Sequence, residues 1–226
     1  MTRVLIHGFL GDPSVWDGIA SPKDRALTLP GHGRGGVYPS WDKNVDLVAG
    51  KLADAETAVG YSLGARVSLG LLARGQIKRA ILISGNPGLP RSERPARLYS
   101  DIGWSKRFMN EPLADVVDAW EAQPLFASQQ RVRPERLAAR RERRLAHDGK
   151  QLAKAMAMMS IGQMPDYREV ITADNAVCIV GADDEKYVAI AKSLPCKTLV
   201  IPDAGHDLLL EAPAALRDAL ETIGWH

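Results

Sequence analysis

Short apolar runs alternate with longer stretches of helical spacing along most of this chain. Arg3 to His7 is rich in β-branched and large apolar residues and ends at Gly8. Arg25 to Leu29 is a second run, closed by Pro30-Gly31, and Glu56 to Tyr61 is a third. Arg79 to Ile83, Ala176 to Val180 and Lys197 to Ile201 complete six predicted strands. Between them, Asp42 to Ala55 repeats apolar residues at Val45, Val48, Ala49 and Leu52, which predicts a helix with one buried face. Leu63 to Arg74 predicts a second helix, stopped by Gly75. Ala212 to Ile223 predicts a terminal helix, with Pro213 in its first turn where the missing N–H costs nothing. Strands alternating with helices imply right-handed crossovers and a mainly parallel sheet with helices on both faces.

The rhythm breaks once. The segment 86–172, between the fourth and fifth strands, reads as helical throughout. It divides the chain into a core, 1–85 and 173–226, and an insertion, 86–172. An insertion after a strand of a parallel sheet lies over the C-terminal strand ends, where such folds bind ligands. It is therefore expected to be a cap over the site.

Composition removes several classes. The chain has 226 residues, within reach of one α/β domain, and is 46% hydrophobic and 25% charged, which excludes a disordered chain. A net charge of +2 gives no reason to expect nucleic acid or a membrane surface. No apolar run approaches the roughly 18 residues needed to span a bilayer. No signal peptide is read, and Cys178 and Cys196 sit in apolar runs as reduced core residues, so a cytoplasmic setting is expected. No metal-ligand spacing occurs, and no cofactor is expected.

The strongest chemical signal is Gly60-Tyr61-Ser62-Leu63-Gly64, a G-x-S-x-G between a strand and a helix. That sharp turn holds a serine at a strained backbone position with its Oγ exposed above the sheet. The bland alternative is an ordinary strand–turn–helix with a chance serine. A hydroxyl is a weak nucleophile near neutral pH and needs a base. Of five histidines, only His206 falls late, on a loop after the sixth strand. His7 and His32 read as structural or pocket-lining, His147 as solvated on a charged helix, and His226 is the last residue. An acid must hold the base's tautomer. Asp184, in Gly181-Ala182-Asp183-Asp184 after the fifth strand, is preferred, with Asp183 next; Asp203 is too close in sequence to His206. Serine, acid, histidine is also the chain order of α/β-hydrolase triads. Two backbone N–H groups, those of Phe9 and Leu63, are the expected oxyanion donors. Gly31-His32-Gly33-Arg34-Gly35-Gly36 formally matches a dinucleotide fingerprint, but no helix opens there and Pro39 follows closely.

Together these motifs resemble the α/β-hydrolase superfamily over essentially the whole chain. The elbow extended to Ala65-Arg66 and Asn86-Pro87-Gly88-Leu89 add detail. So do Arg97, Trp104, Phe108 and Glu111-Pro112-Leu113, then Trp120 with Gln123-Pro124-Leu125-Phe126, and Asp184-x-Lys186-Tyr187. With these the chain resembles the SHCHC synthase family (2-succinyl-6-hydroxy-2,4-cyclohexadiene-1-carboxylate synthases) of menaquinone biosynthesis. The resemblance implies an α/β-hydrolase fold of about six strands with a helical cap, and a lyase rather than a hydrolase. The triad would take a proton from a ring of the substrate, and pyruvate would leave by elimination. It implies a small-molecule carboxylate substrate, bound by Tyr61, Arg66, Arg97 and Trp120. The usual leading hairpin strands of the superfamily are missing, and Asn86 stands where the family often has His. No nucleic acid or membrane partner is implied, and a monomer or small homo-oligomer is expected.

The bland readings remain beside these. Arg66 could be a surface residue one turn below Ser62, and Trp104 and Trp120 could be packing of the insertion. The basic run from Arg131 to Arg144 reads mostly as a solvated face paired with Glu135 and Glu142, and Met156, Met158 and Met159 as packing. A carboxylesterase or thioesterase with a Ser62 acyl-enzyme is the alternative chemistry. A non-catalytic binding protein on the same fold is the alternative class.

Overall fold

A computed structural model describes residues 2–33 and 35–225. Its centre is a six-stranded, wholly parallel sheet in the order β2-β1-β3-β4-β5-β6. The strands are β1 (Arg3–Ile6), β2 (Arg25–Leu27), β3 (Thr57–Tyr61), β4 (Arg79–Ile83), β5 (Ala176–Gly181) and β6 (Lys197–Ile201). The order reverses between β2 and β3, on either side of β1. All six lie where the apolar runs predict them.

Period-two alternation separates two cores. Val4, Ile6, Ala58, Ala80, Leu82, Cys178 and Val180 face one side, packed by α1 (Trp41–Ala49) and α2 (Leu63–Ala73). Leu5, Val59, Ile81, Ile83 and Ile179 face the other. There they meet Trp16, the last residue of the short 3-10 turn Pro13–Trp16, Ile19 just beyond it, and helices nearer the C-terminus. Both faces of the central strands are thus buried, as a parallel sheet requires.

Four helices lie between β4 and β5: α3 (Arg94–Asn110), α4 (Leu113–Glu121), α5 (Pro134–Leu145) and α6 (Gly149–Met158). They have their own core of Phe108, Val116, Val117, Leu152, Ala153 and Met156, which closes onto Leu10 of the loop after β1. The expectation of helix throughout 86–172 is corrected at both ends. Pro87, Gly88 (φ +154°) and Pro90 keep the exit from β4 extended. Residues 159–175 are irregular apart from a 3-10 turn at Arg168–Val170, in a stretch carrying Gly162 and Pro165.

Two further differences are local. α1 ends at Ala49, not Ala55: Gly50 follows and Ala53 takes a left-handed φ of +51°. Leu52 and Ala55 stay in the core through turns, so their apolar spacing imitates a longer helix. α7 (Glu185–Lys192) was not predicted; it buries little beyond Ala191, so its periodic signal is weak. The chain ends with α8 (Leu208–Glu211) and α9 (Pro213–Ile223), where Leu216 and Leu220 close the second core. Among the described residues, no helix is long and apolar enough to cross a membrane. Cys178 and Cys196 are free thiols whose Sγ atoms lie 3.6 Å apart.

The central strands should dominate stability. Ile81→Ala, at a fully buried β4 position, is expected to cost about 2–5 kcal/mol. Val200→Ala, at a 42% exposed position of the edge strand β6, should cost under about 1 kcal/mol. Urea unfolding of the two variants checks the contrast.

Candidate active site

Ser62 sits between β3 and α2 with φ +51° and ψ −105°, a conformation L-residues rarely hold. The flanking glycines explain how it is kept there. A Cβ on Gly60 would lie 2.3 Å from the Gly64 carbonyl oxygen, and one on Gly64 would lie 2.0 Å from that of Ile6. Only bare backbone permits this approach of α2 to the end of β1. The Ser62 N–H donates to the Ile83 carbonyl at 2.9 Å, which ties the turn to β4.

His206 lies 2% exposed on the loop after β6. Its Nε2 is 3.2 Å from Ser62 Oγ, and its Nδ1 is 2.7 Å from Asp184 Oδ2. A carboxylate at Nδ1 sets the tautomer: Nδ1–H donates to Asp184 and Nε2 is left to accept from Ser62. Asp184 also caps α7 by accepting from the Tyr187 N–H at 3.3 Å. Asp183 is turned outward into an ion pair with Arg131. The geometry therefore separates two adjacent acids that a sequence ranks only weakly. Gly181 allows the junction, since a Cβ there would meet the Gly205 oxygen at 2.2 Å. Ser84 Oγ donates to the His206 carbonyl at 2.8 Å, and Glu211 accepts from the N–H groups of Gly205 and Asp207. These backbone clamps carry no sequence motif.

The loop after β1 is held by two other histidines. His7 Nε2 accepts from the Leu29 N–H and His32 Nε2 from the Leu10 N–H, at 3.2 and 3.1 Å. Both rings are fully buried. Burial draws His7 down to about 4 and His32 well below the usual histidine range, so both are neutral acceptors at pH 7. Leu10 turns back at φ +61°. Among the described residues, the N–H groups of Phe9 and Leu63 donate to no other protein group. His147 is corrected from the solvated reading: its ring stands edge-on to His32 at 5.5 Å, and its Nε2 is buried. His226 and Arg34 lie outside the described residues, and the glycine-rich stretch around Arg34 is a loop.

Ser62 and His206 open into a cavity of about 400 Å³ roofed by the four inserted helices. All four residues implied by the resemblance as substrate contacts reach it: Tyr61, Arg66, Arg97 and Trp120. Trp120 packs at a tilt on Phe9 and edge-on to Trp104, with ring centroids 5.1 and 5.0 Å apart. Trp104 lines the cavity as well as packing the insertion, and so do Met156 and Met159. Arg66 donates to the Met159 carbonyl at 2.8 Å. Burial, and then the like charge of Arg97, lower it to about 10, so it stays a cation at neutral pH.

The basic run is corrected in part. Arg140 and Arg144 are 6% exposed, and neither pairs with Glu135 or Glu142. Arg144 donates to Glu121 at 2.7 Å and reaches the cavity; Arg140 donates to Gln129 and lies 3.8 Å from Asp207. The signal was present in the spacing. Leu137, Arg140 and Arg144 are i, i+3 and i+7, one helix face with Leu145 beside it. Lys186 and Asn86 also line the cavity. Among the described residues, no group of three His, Cys, Asp or Glu is placed to hold a metal ion.

A parallel sheet with a strained elbow serine, a histidine in hydrogen-bond reach of it and a carboxylate behind that histidine defines a class, and comparison agrees. The sequence pattern of the alpha/beta hydrolase family matches residues 4–219, and the chain belongs to that family. Within the class it is similar to proteins of one activity. It is 33% identical to the 2-succinyl-6-hydroxy-2,4-cyclohexadiene-1-carboxylate synthase of Enterobacter sp. (strain 638), over 97% of this chain and 90% of that one. It is 31% identical to the Salmonella newport (strain SL254) synthase, over 97% and 92%. Among solved structures, MenH from S. aureus superposes with a TM-score of 0.89 at 27% identity, covering 98% of this chain and 92% of that one. An esterase from Thermogutta terrifontis shares the fold at 21% identity and a TM-score of 0.83, covering 99% and 89%.

The buried neutral histidines predict a pH effect on folding. The unfolded chain takes up a proton at His7 below about pH 6.5, whereas the folded chain resists until about 4. Stability contributed by this group is therefore present above pH 6.5 and lost as pH falls towards 4, by roughly 3 kcal/mol at most. His32 acts in the same direction. Urea midpoints should fall through that window in the wild type and fall less steeply in His7→Gln.

Proposed function

We propose that the protein is a carbon–oxygen lyase that makes 2-succinyl-6-hydroxy-2,4-cyclohexadiene-1-carboxylate by eliminating pyruvate from a cyclohexene precursor. The observation that carries this is the charge of the cavity. Arg66, Arg97 and Arg144, with Lys186, line the cavity into which Ser62 opens. The product carries a ring carboxylate and a succinyl carboxylate, and the leaving pyruvate carries a third. Guanidinium forks suit carboxylates, because they offer paired N–H donors and a charge that persists at every working pH. A simple ester would need no such array.

Ser62, His206 and Asp184 form the base in this reading. A ring proton made acidic by the succinyl ketone passes to Ser62 Oγ as the hydroxyl proton moves to His206 Nε2. Asp184 holds the imidazole tautomer and stabilises the imidazolium. Negative charge gathers on the ketone oxygen, where the free N–H groups of Phe9 and Leu63 supply an oxyanion hole. The electron pair then returns to the ring and breaks the ring carbon–oxygen bond, whose electrons leave on enolpyruvate; this takes the proton held by the triad, which restores neutral His206, and tautomerises to pyruvate. No bond forms between Ser62 and substrate. Tyr61 and Trp120 wall the ring site. Residues 86–172 act as the cap that excludes water and carries Arg97 and Arg144.

Pyruvate release from the precursor, made in situ by the preceding enzyme of menaquinone synthesis, tests the reading. Ser62→Ala or His206→Ala should lower the rate by at least about a thousandfold, because triad members act as a unit. Release no faster than the spontaneous rate in the wild type would overturn it. Ser62-dependent turnover of an activated aryl ester would then point to the esterase alternative.

Arg144→Ala should lower kcat/KM by an amount equivalent to about 2–5 kcal/mol, since it leaves a buried substrate carboxylate without its partner, while Glu121 keeps Arg140 at 3.3 Å. Steady-state kinetics of that variant check the third guanidinium.

A further inference from the structure

A carboxylate is out of place in a cavity built to attract anions, yet one is present. Asp101 is the only Asp or Glu among the described residues that line the cavity. It is 3% exposed. Both of its oxygens are engaged away from the open space: Oδ1 accepts from Arg97 Nε at 2.8 Å and Oδ2 from Ser160 Oγ at 2.7 Å. Arg97 is 41% exposed, and its two terminal nitrogens donate to no other protein group among the described residues. A long side chain that exposed keeps many rotamers unless something holds its stem.

The partner of Asp101 belongs to a turn that also holds Arg66. The Met159 carbonyl accepts from Arg66, and the next residue is Ser160. Ser160 Oγ in turn accepts from the Gly162 N–H at 3.0 Å. A Cβ on Gly162 would lie 2.9 Å from the Arg94 carbonyl oxygen, so this turn rests directly on α3, which carries Arg97 and Asp101. One turn thereby anchors a guanidinium from the core helix α2 and another from the inserted helix α3. The two cations are close enough for Arg97 to depress Arg66.

We infer that Asp101, braced by Ser160, is a positioning residue that fixes Arg97 by its Nε and leaves its paired terminal N–H groups, beside Arg66, to receive one carboxylate of the substrate. This rests on the proposed function for the identity of the substrate, but not for the anion site itself. Asp101 touches no substrate; it restricts the free arginine to the geometry of the bound one, which lowers the ordering cost of binding.

The sign of the effect separates positioning from simple field effects. Removing a negative charge from an anion pocket should by itself tighten anion binding. If Asp101 positions Arg97, Asp101→Asn should weaken it. The expected result is a KM for pyruvate release raised about tenfold or more with kcat changed less than about threefold, and a smaller rise in the same direction for Ser160→Ala. In an Arg97→Ala background, Asp101→Asn should have little further effect. Succinate binding, followed by the fluorescence of Trp104 and Trp120 in the cavity wall, should weaken in parallel, while the thermal midpoint of Asp101→Asn stays within a few degrees of wild type. Unchanged or tighter succinate binding, or equal losses with and without Arg97, would overturn the inference. If the wild type releases no pyruvate, the proposed function fails alone, and the succinate titrations still decide the role of Asp101.

Discussion

The approach of Gly64 to the end of β1 is the contact on which the site depends. Any side chain there would drive its Cβ to 2.0 Å from the Ile6 oxygen and 2.7 Å from that of His7. Because the contact is backbone on backbone, the start of α2 lies against the loop that follows β1. That brings Ser62, the Leu63 amide and the Phe9 amide to one place. The strain at Ser62 is held by the surrounding packing: α2 is buried along most of its length, and β3 is paired on both sides.

The opposite side of the site is assembled by a second close approach, between Gly181 and the Ala204–Gly205 backbone. It joins the ends of β5 and β6, so the acid and the histidine meet across adjacent strands. Around these two junctions the protein spends polar groups on backbone atoms. His7, His32, Ser84 and Glu211 each bind main chain and hold a loop in position. Loops held in this way keep Ser62 and Asp184 within hydrogen-bond distance of His206 at the C-terminal strand ends, and the oxyanion stabilisation proposed above would need such preorganisation.

Chemistry and substrate are decided in different layers. An esterase from Thermogutta terrifontis shares the fold, so the fold alone does not select a reaction. In this chain the inserted helices contribute Arg97 and Arg144 to the cavity that Arg66 lines from the core. Each of these cations has a counter-ion, half-exposed Arg97 on Asp101 and buried Arg144 on Glu121, so their charge is tolerated before substrate arrives.

How much of this could be read from the sequence follows from the range of each interaction. The six strands, the elbow, the late histidine and the place of the insertion are local patterns: period-two apolar runs, glycines at fixed offsets, and a long helical interval. They were legible because a few consecutive residues determine them. Which acid meets His206 was weakly legible, since Asp183 and Asp184 differ only in which way a tight turn points them. The burial of Arg140 and Arg144, the inward position of His147 and the engagement of Asp101 by Ser160 were not read. Each depends on what another element places opposite it, Glu121 from α4, His32 from the loop after β2, and Ser160 some sixty positions along the chain. Sequence by itself determined the sheet, the elbow and the order of the reactive groups. Only the tertiary structure decided which charges are buried and paired, because desolvation and pairing are properties of the packed interior and not of the local chain.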